Sequence, residues 1–151
     1  MKTYQDIVKL TREDFNEAGY YTGPFDLSCL FSADVEIDPD LGSIHFYDQQ
    51  CPESGGLCTD GRIKIGKGTN ICVHGTLCAN TLITHGEVYC SGPIEVHHLK
   101  CKGKLVAEKE IVVTGSFNVQ GRVVTPRLVL ASLDIQMPQR YHHERNLPKK
   151  G

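Results

Sequence analysis

The stretch from Ile71 to Ile135, ICVHGTLCANTLITHGEVYCSGPIEVHHLKCKGKLVAEKEIVVTGSFNVQGRVVTPRLVLASLDI, repeats a pattern with a period of seventeen residues. Each repeat carries three pairs of mostly apolar residues, and the two members of a pair are two positions apart. The first repeat has Ile71/Val73, Leu77/Ala79 and Leu82/Thr84, and the last has Arg122/Val124, Leu128/Leu130 and Leu133/Ile135. Residues two positions apart point to the same side of a β-strand. Each pair therefore predicts one short strand that faces a core.

Five or six residues separate successive pairs in most of the stretch, which leaves room for a corner between strands. A helix would need apolar residues three and four positions apart, and a hairpin fold would need a turn signal about every eight to twelve residues. Three strands instead close one triangular coil, and such coils stack about 4.8 Å apart. The prediction is an all-β, single-stranded parallel β-helix, whose hand the period does not fix.

The rest of the pattern divides the chain into three parts. Residues 1–32 are predicted to be an N-terminal extension, with a short amphipathic helix within 1–20 that could cap the solenoid. Residues 33–136 are the predicted β-helix, with imperfect coils over 33–65 and regular coils over 66–136, and the polar tail 137–151 is predicted to be disordered. Six glycines fall between strands, where a positive φ is expected. They are Gly75, Gly86, Gly92, Gly103, Gly115 and Gly121.

Charge and cysteine usage narrow the functional classes. A formal net charge of −2 gives no reason to expect a nucleic-acid partner. The first twenty residues lack the apolar run of a signal peptide, and no stretch of eighteen apolar residues occurs in the sequence. Seven cysteines at irregular spacing favour reduced thiols over a disulfide framework. These features predict a cytoplasmic protein.

The outward positions of the predicted strands carry an apolar patch on two of the three faces. Its members are Tyr89, Val106, Val112, Val123 and Val129. A solvated sheet face has no need of such a patch. Two explanations stay open, because either the N-terminal segment packs over it or neighbouring molecules meet there laterally.

The stretch from Gly61 to Leu130 resembles the bactofilin family of polymer-forming bacterial cytoskeletal proteins. The likeness rests on IGKGT at Ile65–Thr69, on the run of strand–glycine–strand coils, and on VVTPRLVL at Val123–Leu130. The resemblance implies a right-handed β-helix, filaments that assemble end to end without nucleotide, and a scaffolding role at the inner face of the membrane. MKTYQDIVKL has little of the bulky apolar character that family members use to bind a membrane, so peripheral attachment stays an open expectation.

Self-association is also predicted from the residues alone, because a β-helix ends in open coils with unpaired backbone groups. The C-terminal coil supplies the predicted polymer interface. This interface consists of Leu128, Leu130, Leu133 and Ile135. A cap formed by residues 1–60 would limit assembly to a dimer through that coil.

The sequence predicts no catalytic residue, no cofactor and no metal, and two alternatives remain beside the structural function. A left-handed β-helix enzyme of the trimeric hexapeptide acyltransferase or γ-carbonic-anhydrase kind would use corner histidines. The candidates are His74, His85, His97 and His98. A zinc-binding adaptor would draw ligands from the irregular segment before the regular coils. Its candidates are Cys29, His45, Cys51 and Cys58, with His74 nearby.

Overall fold

The computed structural model describes residues 7–23, 25–27, 29–46 and 56–131, together with the backbone of two short strands at 135–136 and 142–143. The chain is nearly all β, with 58% strand and 3% helix, and its parallel sheets form a β-solenoid of about 4 turns. The predicted parallel β-helix is therefore confirmed.

The described strands are short and follow one another closely along the chain. They are β1 (Ile7–Leu10), β2 (Asp34–Ile37), β3 (Gly42–Phe46), β4 (Gly56–Cys58), β5 (Arg62–Ile65), β6 (Thr69–Val73), β7 (Thr76–Thr84), β8 (Glu87–Cys90), β9 (Ile94–Cys101), β10 (Lys104–Ala107), β11 (Ile111–Val113), β12 (Phe117–Val119), β13 (Arg122–Thr125), β14 (Leu128–Leu130), β15 (Ile135–Gln136) and β16 (His142–His143). A 3₁₀ helix at Arg12–Asp14 follows β1.

The strands stack on three faces. The first face is a six-stranded sheet in the order β3, β6, β8, β10, β13, β16. The second face contains β4, the first part of β7, the first part of β9, β11 and β14. The third face contains β1, β2, β5, the later parts of β7 and β9, β12 and β15. β7 and β9 each run across the corner between the second and third faces, so these two faces form one continuous ten-stranded sheet.

The core is a set of columns in which each inward side chain lies on its equivalent in the next coil. On the first face the register joins Ile71 to Val88, Val88 to Leu105 and Leu105 to Val123. All four side chains are at most 2% exposed. The parallel pairing that forms the backbone hydrogen bonds between coils therefore also stacks the apolar side chains of the core.

The amphipathic helix predicted within residues 1–20 is wrong at Ile7–Leu10, and the described helix in this part is the 3₁₀ turn at Arg12–Asp14. Ile7–Leu10 form β1, which pairs in parallel with β2 and buries Val8 and Leu10 on alternate positions. Four residues with an apolar residue every second position fit a strand as well as one helical turn. Pairing with β2 decides between them because it satisfies the backbone and buries both side chains at once.

The predicted N-terminal extension is built into the solenoid as an irregular first turn. After β1, Gly19 and Tyr21 flank β3 on the first face, where the His45 N–H donates to the Gly19 carbonyl at 2.7 Å. The chain then reaches the second face, where the Leu30 N–H donates to the Cys58 carbonyl at 3.0 Å. It returns to the third face as β2. The described residues between 7 and 37 thus lie in turn along all three faces at the end of the stack.

The predicted register is wrong by one residue in β13. Leu105 pairs with Val123, eighteen positions later, so Val123 points inward at 0% exposure and Arg122 points outward and is exposed. Val123 therefore does not belong to the predicted outer patch, and Val124 takes that place. A one-residue shift turns every side chain to the other face, and this shift spares the core a buried arginine.

The C-terminal end also differs from the prediction. Phe117 pairs with Ile135, so Ile135 opens the last strand of the third face in the place predicted for Leu133. Leu133 lies outside the described residues. Within the tail predicted to be disordered, His142–His143 form β16 in parallel with β13, which corrects the prediction at these two positions. The other tail residues lie outside the described part of the chain.

Close contact between coils explains most of the corner glycines. Of the six predicted to need a positive φ, Gly75 has one, at 143°, and the others do not. Gly86, Gly103 and Gly121 form a column at one corner, and a methyl group on each would overlap a carbonyl oxygen of the preceding coil. Glycine is required there because the backbones approach closely.

Charged substitutions in β13 test its register. We expect Val123→Asp to destabilise the fold by about 4 kcal/mol, because it places an unpaired carboxylate in the core. Val124→Asp on the outer side should change stability by about 1 kcal/mol or less. Urea unfolding followed by circular dichroism measures both, and the reverse order of stabilities would contradict the register.

An alanine substitution tests the corner column. Gly103→Ala should destabilise by about 3 kcal/mol because its methyl group overlaps the Gly86 carbonyl. Gly42→Ala is the control, since φ there is 75° and nothing lies within 4 Å of the added methyl group. It should cost only about 1 to 2 kcal/mol. A loss in thermal unfolding at Gly103 no larger than that at Gly42 would contradict the close contact between coils at this corner.

Candidate functional site

The C-terminal coil carries apolar core positions that no further described strand covers. β14 pairs with β11, which aligns Leu128 with Ile111 and Leu130 with Val113. Ile111 and Val113 are 0% exposed, whereas Leu128 and Leu130 are only half-buried. No other described strand pairs with the outer edge of β14. Two residues of the predicted polymer interface therefore lie at an open sheet edge.

The other two predicted interface residues are Ile135 and Leu133. Ile135 belongs to β15, which pairs with β12, and Leu133 is outside the described residues. On the first face, β16 adds two residues to the edge of β13. Among the described strands, the open edge of this end is therefore the second face, where β14 lies.

The N-terminal end of the stack is covered by aromatic rings. Phe15 and Tyr21 lie over Phe46, the inward residue at the end of the first face, with ring centroids 5.8 and 6.3 Å away. Phe46 is 0% exposed as a result. The large hydrophobic side chains that are exposed in the described residues all belong to this first turn. They are Ile7 at 54%, Phe25 at 50% and Phe31 at 77%.

The predicted outer patch is present on four of its five positions. Tyr89 pairs with Val106 on the first face, and Val112 pairs with Val129 on the second, and all four are half-buried. The hydrogen bonds and ring contacts of the described residues between 7 and 31 reach β2, β3, β4 and the corners at Asp40 and Asp60. They show that the first turn packs on the end of the stack.

The candidate zinc ligands do not gather as a set in the described structure. Cys29 is exposed on the first turn, and Cys58 lies in β4 in register with Cys78 of β7. Cys51 lies outside the described residues. His45, the fourth candidate, points outward from β3 and meets two residues of the next coil instead.

His45, Cys72 and His74 form a cluster on the outside of the first face. Their ligand atoms all lie within 4.8 Å of one another, and all three side chains are half-buried. His45 Nδ1 is 3.3 Å from His74 Nε2, and Cys72 Sγ is 3.4 Å from the same nitrogen. The cluster combines two imidazoles with one thiol, which is a donor set that transition metals accept.

Strand register creates this cluster. His45 pairs with Cys72 between β3 and β6, so their side chains stand side by side. His74 is two positions after Cys72 and therefore points to the same side. The register here spans twenty-seven residues, from His45 to Cys72, because residues 47–55 lie between β3 and β4. In the sequence, aligning the apolar pair Ile44/Phe46 with Ile71/Val73 would have placed His45 opposite Cys72.

Burial sets the protonation preferences of the cluster. Desolvation lowers the pKa of His74 from its usual value, and the neighbouring His45 lowers it further. Desolvation raises the pKa of Cys72, and Glu108 raises it further. His74 is thus favoured as the neutral imidazole that can act as a ligand, while the Cys72 thiol keeps its proton more firmly.

His97 and His98 lie together in β9, and His85 lies apart from them. His97 Nδ1 is 2.7 Å from Thr114 Oγ1, and His98 Nδ1 is 2.8 Å from Ser116 Oγ. His85 lies at the corner after β7, where its N–H donates to the Ile65 carbonyl. The structure therefore does not bring His74, His85 and His97 together within one chain.

No family model, curated protein or solved structure matches the chain. Among the described residues, no helix is long and apolar enough to cross a membrane.

Thiol labelling tests the positions of the cysteines. Burial raises the pKa of Cys90 and of Cys101 to about 11. Since the thiolate is the reactive form, both should resist iodoacetamide at pH 8 in the folded protein, whereas the exposed Cys29 should react first. Peptide mapping by mass spectrometry measures the order, with the urea-unfolded chain as control. Equal labelling of Cys29 and Cys90 in the folded protein would contradict the inward position of Cys90.

Proposed function

We propose that this protein is a non-enzymatic structural protein that self-associates through the end coils of its β-solenoid and serves as a filament or scaffold, as bactofilins do. The observation that carries the proposal is the half-burial of Leu128 and Leu130 at the open edge of β14. In the preceding coil the equivalent residues, Ile111 and Val113, are fully buried. On its second face, the last coil thus presents core residues with no described strand beyond them.

Apolar burial and backbone hydrogen bonding both favour end-on contact at this surface. Complete burial of a leucine side chain contributes about 1.5 to 3 kcal/mol, so covering two half-buried leucines recovers part of that amount for each. The outer N–H and C=O groups of β14 would at the same time gain partners from another edge strand. Both gains require a second chain to approach along the solenoid axis.

A filament needs a second contact surface, because identical C-terminal ends that meet around a twofold axis close into a dimer. The N-terminal turn supplies a candidate in the exposed side chains of Ile7, Phe25 and Phe31. The outer edge of β1 has no described strand beside it either. Alternating contacts through the two ends would extend the dimer into a filament.

The proposal places the scaffold in the cytoplasm, with the inner face of the membrane or other envelope proteins as its partners. The six described cysteines are free, which suits a reducing compartment. The resemblance of Gly61–Leu130 to bactofilins supports the same location. Attachment to a membrane would draw on the exposed apolar residues of the first turn.

Two substitutions in the same strand test the assembly surface. We expect Leu130→Glu to abolish association through the C-terminal end, because the interface would bury an unpaired carboxylate. Val129→Glu changes the adjacent residue on the outer side of β14 and should leave end-on association intact. Sedimentation velocity over a range of protein concentrations measures association, and circular dichroism confirms that both variants stay β-rich.

Two results would overturn the proposal. One is a wild-type protein that remains monomeric at every concentration. The other is association that Val129→Glu abolishes and Leu130→Glu leaves unchanged, since molecules would then meet laterally through the outer patch.

A further inference from the structure

We propose that His45, Cys72 and His74 bind one Zn²⁺ ion on the outside of the first face. This site is independent of the proposed self-association. The three side chains come from β3, from β6 and from the corner after β6, and their ligand atoms lie within 4.8 Å of one another. Zinc is the occupant that fits a compact site with two imidazole nitrogens and one thiolate sulfur.

Two of the three distances between donors match those around a tetrahedral zinc ion, and the third pair, His45 and Cys72, has its ligand atoms within 4.8 Å of each other. With Zn–N near 2.05 Å and Zn–S near 2.3 Å, tetrahedral geometry separates two nitrogens by about 3.3 Å and a nitrogen from a sulfur by about 3.5 Å. The observed separations are 3.3 Å for His45 Nδ1 to His74 Nε2 and 3.4 Å for Cys72 Sγ to His74 Nε2. Two edges of the tetrahedron are therefore already formed.

The two close contacts of this cluster compete for one atom. Both close contacts converge on His74 Nε2, and a ring nitrogen offers one direction, either a proton or a lone pair. Without a metal, His45 and Cys72 must share that single direction. A zinc ion at the centre lets the two nitrogens and the sulfur each direct a lone pair at it, and water completes the fourth position.

The fold holds the three ligands in place. The His45 N–H donates to the Gly19 carbonyl at 2.7 Å, and the Tyr21 N–H donates to the His45 carbonyl at 3.1 Å, so the irregular turn fixes one edge of β3. Tyr20 stacks on the His45 ring at 4.6 Å. The His74 N–H donates to the Phe46 carbonyl at 3.0 Å. Ligands positioned in advance lose little freedom when the metal binds.

The bound ion would join two parts of the solenoid. His45 belongs to the strand on which the irregular first turn packs, and Cys72 and His74 belong to the first coil with the regular seventeen-residue spacing. The pairing of β3 with β6 links these parts on the first face. A metal bridge across this pair would stabilise the N-terminal end of the stack.

Zinc titration of the full chain tests the site. The protein is purified, stripped of metal with a chelator, and titrated with Zn²⁺ by calorimetry, with metal content checked by elemental analysis. We expect about one ion per chain, a higher thermal unfolding midpoint with zinc, and a loss of affinity of about 100-fold or more in Cys72→Ser and in His74→Asn. The matched controls are Cys78→Ser and His85→Asn, which alter half-buried residues outside the cluster and should bind as the wild type does.

Cobalt substitution provides a second readout. Co²⁺ bound through Cys72 gives a thiolate-to-cobalt absorption band that Cys72→Ser removes, even where the variant still folds. The proposal is overturned if the wild type takes up no zinc, if it binds copper but not zinc, or if both cluster variants keep wild-type affinity. It is also overturned if the controls lose zinc as completely as the cluster variants do, because the ion would then lie elsewhere.

Discussion

Parallel stacking of coils in register is the constraint on which the rest of this structure depends. When strands of successive coils pair in register, each inward side chain stacks on the side chain at the equivalent position of the next coil. Ile71, Val88, Leu105 and Val123 form one such column. Nearly all contacts are therefore between neighbouring coils. The same register brings the backbones of neighbouring coils into close contact at the corner that contains Gly86 and Gly103. It also places outward residues such as His45 and Cys72 side by side.

A stack of this kind contains no internal signal to stop, so its ends decide how far it continues. The N-terminal end departs from the repeat: the described residues between 7 and 37 lie along its three faces, and Phe15 and Tyr21 cover Phe46. The C-terminal end keeps the repeat up to β14, and the last inward leucines remain half-covered there. The molecule is thus asymmetric, with one rebuilt end and one end that resembles an interrupted stack.

The repeat could be predicted from the sequence because a spacing of two within pairs and seventeen between repeats leaves one simple arrangement of strands. Arg122 at an inward position was the available signal that β13 shifts by one residue. The corner between β13 and β14 is one residue shorter than predicted, so β14 keeps its predicted register with β11. The strand at Ile7–Leu10 could not be identified locally, since its partner β2 lies more than twenty residues away. The His45–Cys72–His74 cluster depends on the same kind of distant pairing, interrupted by residues 47–55. Local sequence patterns are enough to predict each regular coil. Contacts between coils of different length can be predicted only when the pairing register of their strands is known.

The central claim, that the last coil continues into another molecule, is tested most directly by electron microscopy of the full-length protein at assembling concentrations. Class averages should show solenoids joined end to end with collinear axes, and the coil spacing of about 4.8 Å should continue across the junction. The C-terminal coil, marked by a tag on residue 151, should lie at that junction. Isolated single solenoids, or solenoids joined side by side with both ends free, would contradict the account.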